Sequence, residues 1–407
     1  MDVPQANKAP TPHSGLSNYR KLKWCLWTLV GLVLVVYGLR AFVADVYPIE
    51  SSSMEPELFP GDWVLVNYDT TMPERGELVV TRGQGGSPIV KRVGGLPGET
   101  LLLTPDGDVL IQGKDERRLE RGGLERSGPP LVSVFDPAYH EVAEHFAHGS
   151  SLVDPWTQVD AVWELDGRGL EPGSHAGYLR HHKGIHNDLV RPDGTLEHGP
   201  ISVGDAAVSC EVWPLQAGGE FVLQLVERGD TFQVRFDLSD PADTTATLHR
   251  ISSAGLGSDV LSGQLAEART ALPLSAWTTV RFLNIDNHLR VLVDGVAILD
   301  HRYEINREGG GPGGISTGER VLLGGVGCQL RIRAIHVHRD VHYTQRGEYG
   351  VNAPVLLGPN EIFLLGDNST VSQDSREFGP VSLDRLIGRV TRVVWPRERA
   401  RALESVR

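Results

Sequence analysis

Apolar residues run without a charge from Trp24 to Leu39 (WCLWTLVGLVLVVYGL), and carried on past Arg40 to Ala44 the segment has 21 residues. As a helix it rises about 31 Å, enough to cross the hydrocarbon core of a bilayer. A cleaved signal peptide is the rival reading, but RAFVADV lacks the small residues that a signal cleavage site needs. Arg20, Lys21 and Lys23 precede the segment, while Asp45, Glu50, Glu55, Glu57 and Asp62 follow it. The positive-inside rule therefore predicts an anchor over 19–44, a polar cytoplasmic tail over 1–18, and residues 45–407 on the outer face of the cytoplasmic membrane. Arg40, near the outer end, can snorkel to the interface.

Beyond the anchor the pattern shortens to alternating runs. DWVLVNY (62–68), GELVVTR (76–82) and SPIVKRVGGL (87–96) predict strands, and ETLLLTPDGDVLIQG predicts a hairpin turning at Asp106-Gly107. Near Lys114 the charged run KDERRLERGGLERSGPP marks a boundary. The next stretch, to about residue 200, is irregular and rich in His and Gly. From Ala207 a regular pattern returns: Phe232, Val234 and Phe236 alternate with Thr231, Gln233, Arg235 and Asp237. WTTVRFLNIDNHLRVLVDG predicts two strands joined near Asp286-Asn287. In CQLRIRAIHVHRD the apolar face slips from Leu330 and Ile332 to Ile335 and Val337, which predicts a β-bulge. The fold class is therefore mainly β. A discontinuous β domain (45–114 and 346–400) is expected around an antiparallel sandwich or jelly roll (115–345).

Composition narrows the functional classes. The net charge is −13, and no basic tract offsets it, so a nucleic-acid partner is excluded on electrostatic grounds. Hydrophobic content of 40% with 22% charged residues excludes wholesale disorder. The three cysteines, Cys25, Cys210 and Cys328, form no disulfide scaffold and no C-x-x-C pair. A Cys210–Cys328 bridge and two separately buried thiols both remain open.

The densest chemical signal is SSSMEPELFPGD, from Ser51 to Asp62, followed on a later predicted strand by a single lysine in IVKRVGGLPGE. A serine hydroxyl needs a base to become a nucleophile, and a lysine serves if burial lowers its pKa. Ile89, Val90 and Val93 flank Lys91 and can desolvate it. Alone, a serine run is ordinarily an exposed loop and a strand lysine ordinarily solvated, so the case rests on the combination.

These blocks resemble those of type I signal peptidases, membrane-anchored Ser/Lys endopeptidases that remove signal peptides from exported proteins. The family's S-x-S-M-x-P-x-L and G-D blocks match Ser51, Ser53, Met54, Pro56, Leu58, Gly61 and Asp62. Its K-R-x-x-G-x-P-G block matches Lys91, Arg92, Gly95, Pro97 and Gly98. A third stretch matches Gly366, Asp367, Asn368, Ser372, Asp374, Ser375 and Arg376. The resemblance covers 19–114 and 346–396. It implies that Ser53 is the nucleophile, Lys91 the general base, and Ser51 an oxyanion-hole donor beside the Ser53 backbone N–H. It further implies that Ser372 hydrogen-bonds the Lys91 amine and that Asp374 and Arg376 form a supporting ion pair. No metal or cofactor is implied. A preprotein's cleavage region would add as a strand beside Pro48, Ile49, Glu50 and Ser52 on one side and Ser87, Pro88 and Ile89 on the other, with small residues at −1 and −3. Three positions depart from the family: Ser52 for a usual glycine, Glu57 for a threonine, and Ser369 for an arginine.

The predicted sandwich resembles concanavalin-like lectin or laminin-G-like modules, which implies a possible glycan or protein ligand for the insert. The carboxylates Glu164, Asp166 and Glu171 do not have a glycosidase spacing. His181, His182, His186, His336, His338 and His342 are metal-ligand candidates that no acid or cysteine completes. Two other readings stand beside the peptidase: a soluble Ser/Lys autoprotease of the repressor type, disfavoured by the anchor and the acidity, and a membrane-tethered lectin-like binding protein on an inactive peptidase scaffold.

Overall fold

The computed structural model describes residues 22–32, 44–69, 71–113, 120–121, 131–135, 156–159, 163–166, 169–172, 177–181, 184–191, 196–227, 230–253, 260–274, 276–304 and 321–403. Of the anchor expected over 19–44, residues 22–32 are helical with exposed side chains, and residues 33–43 lie outside the described residues. Among the described residues no helix is long and apolar enough to cross a membrane.

Six strands open the body of the chain: β1 (Ala44–Pro48), β2 (Trp63–Asn67), β3 (Leu78–Arg82), β4 (Pro88–Gly95), β5 (Thr100–Leu103) and β6 (Val109–Gln112). The first four join segments from the far end of the sequence. The sheet order is β1, β2, Leu386–Trp395, β3, β4, Glu361–Leu365, Val381–Ser382, so strands from the two ends of the chain alternate within one sheet. β3 shows why: it reads Leu-Val-Val, and with side chains alternating faces, Val80 enters a core with Ile49, Met54, Leu58 and Val66, while Val79 enters another with Val93, Ile362 and Leu364. A strand buried on both faces needs covering from both. β5 and β6 pair as the predicted hairpin, with Gly107 at φ +93° in its turn, and they share a core with Tyr343, Val351 and Phe363.

Between these halves lies a two-sheet sandwich. One sheet runs Trp163–Asp166, Gly169–Pro172, Leu330–Arg339, Ala206–Pro214, Thr278–Ile285, His288–Val293, Val296–Arg302; the other runs Val260–Thr270, Thr244–Ser253, Asp230–Asp237, Glu220–Glu227, Val321–Val326, Tyr178–His181, Trp156–Val159. Val208, Val280, Phe282 and Ile332 of the first pack in one core with Phe221, Phe232, Val234 and Phe236 of the second. Asp286 and Asn287 turn with positive φ. The slip between Ile332 and Ile335 is a bulge, with the register shifting between Ser209 and Glu211 and Ala334 at φ +49°. The stretch before residue 200, expected to be irregular, instead supplies strands at Trp156–Val159, Trp163–Asp166, Gly169–Pro172 and Tyr178–His181. Four-residue strands are too short to leave a periodic signature. Cys210 and Cys328 are buried and free, so the two-thiol alternative describes this structure.

Candidate active site

The Ser51–Asp62 block is a closed loop rather than an exposed one. Ile49 N donates to Asp62 O and Gly61 N to Ile49 O, both at 2.8 Å. Gly61 turns at φ +94°, a conformation that disfavours any residue with a Cβ. The Asp62 carboxylate accepts from Phe59 N (2.9 Å) and pairs with Arg399 (2.7 Å). Met54 and Leu58 point into the core. Anchored at both ends and underneath, the loop carries Ser52–Met54 as a single 3-10 turn.

Lys91 lies on β4 opposite Val79 of β3. Its Nζ donates to Ser53 Oγ at 2.6 Å. Only 4% of Lys91 and 8% of Ser53 is exposed. Burial pulls the amine pKa from 10.5 down to about 8, against the attraction of Asp374 and Asp367, with Arg376 adding to the fall. Ser51 Oγ lies 3.1 Å from Ser53 Oγ, so an amine and a second hydroxyl converge on the Ser53 hydroxyl.

Asp374 and Arg376 meet as a buried pair, Nε to Oδ1 at 2.9 Å and NH2 to Oδ2 at 2.8 Å. Asp374 also accepts from Gly366 N (3.0 Å), tying the pair to the strand end beside Ser53. Ser369, at the position where the family commonly has arginine, accepts from Arg376 NH1 (2.6 Å) and Thr344 N (2.7 Å). The departure thus belongs to a network that fixes the chain where it leaves the sandwich. Ser372 does not reach Lys91: its Oγ is buried without a hydrogen-bond partner. Its backbone N–H bonds Asn368 O at 2.9 Å, and that turn sets the hydroxyl over Gly366, where an added Cβ would stand 2.0 Å from it.

The residues expected to flank a substrate strand lie on two edges. Pro48 ends β1, which among the described residues pairs with β2 alone at the border of the sheet, and Ile49, Glu50 and Ser52 continue from it. Pro88 and Ile89 pair with β3, whereas Glu361–Leu365 meets β4 only from Arg92 onward. Ser87 and Pro88 are exposed.

Three features escaped sequence reasoning. Arg92 grips Asp367 in a bidentate pair (2.7 and 2.6 Å) and donates to Gly76 O (2.7 Å), which explains why K-R and G-D-N blocks occur together. Glu55, two residues past Ser53, is buried, and burial raises its carboxyl against the pull of Arg191. Arg191, from the sandwich half, pairs with it at 3.4 Å. A cavity of about 250 Å³ opens there, lined by Glu55, Asn368 and Thr370 on one side and Asn187, Leu189 and Arg339 on the other. No sequence pattern announces a contact between positions 136 residues apart.

Glu164 sits opposite Glu171 in adjacent strands. Among the described residues, His181, His186, His336, His338 and His342 belong to no cluster able to hold a metal ion; His182 lies outside those residues.

The family model described as "Signal peptidase, peptidase S26" matches residues 21–130 and 329–395. A probable signal peptidase I-2 of Synechocystis sp. is 35% identical over 124 residues, covering 28% of this chain and 56% of that protein. The signal peptidase I of Bacillus licheniformis is 30% identical over 141 residues, covering 32% of this chain and 73% of that protein. Against the first three relatives the chain spans 56%, 35% and 31% of their length. Among solved structures, a carbohydrate-binding module CBM66 from Bacillus subtilis aligns with 44% of this chain and 93% of its own at 10% identity and a TM-score of 0.30, too slight a likeness to bear on function. With the matched segments bracketing the sandwich and containing Ser53, Lys91, Asp374 and Arg376, the chain belongs to the signal peptidase family, peptidase S26.

Proposed function

We propose that the protein is a serine endopeptidase of the signal peptidase I type, cutting signal peptides from preproteins with Ser53 as nucleophile and Lys91 as general base. The observation that carries this is the buried 2.6 Å contact from Lys91 Nζ to Ser53 Oγ. With a pKa of about 8, roughly a tenth of the lysine is neutral at pH 7, and that fraction can take the serine proton as Oγ attacks the scissile carbonyl. The resulting ammonium then protonates the leaving amine, and a water, activated by the neutral amine, releases the acyl group. Ser51 Oγ, free to turn from Ser53 once the oxyanion forms, would donate to it. The bidentate Arg92–Asp367 pair and the Asp374–Arg376 pair act as positioning residues for the two backbone segments. The substrate would add as a strand between the open edges at Pro48–Ser52 and Ser87–Ile89.

The proposal includes a single N-terminal anchor over 19–44, supported by the charge asymmetry and the apolar run, with the catalytic residues on the outer face. It also includes the division into a catalytic domain (45–114 and 346–400) and an inserted sandwich (115–345), supported by the family match, which skips 131–328. A glycan or protein ligand of the sandwich is its outermost part, supported by the half-buried Trp213–Trp277 pair with Arg333 stacked 4.1 Å over Trp277. The test is cleavage of a preprotein carrying Ala at −1 and −3 by detergent-solubilised protein. Wild type should cut at that junction and Ser53→Ala should not; equal cutting by both removes Ser53 from the reaction.

A further inference from the structure

Outside the dyad, the chain buries a second concentration of charge. Asp108 closes the β5–β6 turn, Asp205 precedes the strand Ala206–Pro214, and Asp286 occupies the turn between Thr278–Ile285 and His288–Val293. One carboxylate oxygen from each lies within 4.8 Å of those of the other two. The three residues are 6%, 8% and 7% exposed. Two oxygens bound to one calcium ion at about 2.4 Å stand at most about 4.8 Å apart, so the spacing fits a common ion.

Asp205 supplies a separate indication. Although more than nine-tenths buried, its carboxylate takes part in no hydrogen bond and no ion pair among the described residues. Asp108, Glu227, Asp286 and Asp340 surround it with further carboxylates. Glu227 is already engaged by Tyr303 OH (2.6 Å) and Asn284 Nδ2 (2.8 Å), and Asp340 Oδ1 by Val341 N (2.6 Å). Neither neutralises Asp205; both add negative charge around it. A buried carboxylate is tolerated when it is paired or coordinates a metal.

We propose that Asp108, Asp205 and Asp286 form a calcium site that fastens the sandwich to the β5–β6 hairpin of the peptidase half. The donors are all oxygen, which selects a hard cation, and three carboxylates from three separate connections make a flexible cage suited to calcium rather than to the strict octahedron of magnesium. The ion joins elements that the sequence separates by 97 residues on one side of Asp205 and 81 on the other, and its binding is a matter of architecture rather than catalysis.

The test uses the full-length chain in detergent, stripped with EDTA and titrated calorimetrically with calcium chloride and, separately, magnesium chloride. One calcium per chain is expected, with weaker magnesium binding and a rise in melting midpoint of roughly 5 °C at a free ion level about 100-fold above the dissociation constant. Asp205→Asn and Asp286→Asn should each weaken calcium binding by more than about 10-fold, the cost of losing even an outer-shell partner. The absence of calcium heat together with an unchanged midpoint in wild type would overturn the site and leave the carboxylates sharing protons. Unaltered affinity in both variants would overturn the ligand assignment, and magnesium bound as tightly would overturn calcium. The wild-type titration decides even if a variant does not fold.

Discussion

Replacing Lys91 with methionine should end peptidase activity and yet make the folded protein more stable at neutral pH. The folded lysine has a pKa of about 8 against an ordinary 10.5, so folding disfavours its charged form. At about 1.4 kcal/mol per pH unit, holding the ammonium in that site at pH 7 costs about 3 kcal/mol. The sign follows from proton counts. Below pH 8 both folded and unfolded chains are protonated and the whole cost is present; between pH 8 and 10.5 the unfolded chain binds more protons than the folded one, so stability rises with pH. Above 10.5 neither is charged and the cost is gone. Methionine has similar length and no charge, so the variant should melt roughly 12 °C above wild type at pH 7 if the peptidase half, about 125 residues, unfolds as a unit. That gap should close by about pH 10.5. The assay is a pair of thermal melts at matched detergent and salt, stepped from pH 6 to pH 10.5. A gap that stays constant across that range, or a variant less stable than wild type at pH 7, would refute the claim that desolvation activates Lys91.

Three further outcomes follow from the same geometry. Ser51→Ala should lower kcat by about 10²–10³ with little change in KM, the loss typical of one oxyanion-hole donor, read by steady-state cleavage. Gly366→Ala should abolish activity in a protein that still folds its sandwich, because the new Cβ would stand 2.0 Å from Ser372 Oγ and 2.6 Å from Ser53 O; single-turnover kinetics with circular dichroism checks it. Arg376→Lys should destabilise the peptidase half by about 3–5 kcal/mol, since an ammonium cannot reproduce the guanidinium's bonds to Asp374, Thr344 and Ser369 and leaves a buried acid poorly paired; denaturant unfolding measures it.

What was legible in the sequence divides along the range of the interactions. The strand β3 and the hairpin at Asp106-Gly107 could be read because side-chain alternation and turn chemistry act over a few residues. The Ser53–Lys91 approach was reachable only through the resemblance of whole blocks, since spacing along the chain does not show which strands meet. The Glu55–Arg191 pair and the Asp108–Asp205–Asp286 cluster were invisible, because each joins residues from both sides of the insertion boundary and an isolated acid looks like any solvated one. Ser372 shows the opposite limit: family position alone assigned it to Lys91, while the local turn at Asn368 sets its hydroxyl over Gly366. Strands of two to four residues before position 200 were missed because their sheet partners, not their own pattern, hold them extended.

The most direct test of the dyad is the pH dependence of kcat/KM on a preprotein with alanine at −1 and −3. Lys91 must be neutral to accept the Ser53 proton, so kcat/KM should climb about tenfold per pH unit below pH 7 and level off above a pKa near 8, with no activity in Lys91→Arg because a guanidinium stays protonated. A profile flat from pH 6 to pH 9, or substantial turnover by Lys91→Arg, would contradict the assignment of Lys91 as the base.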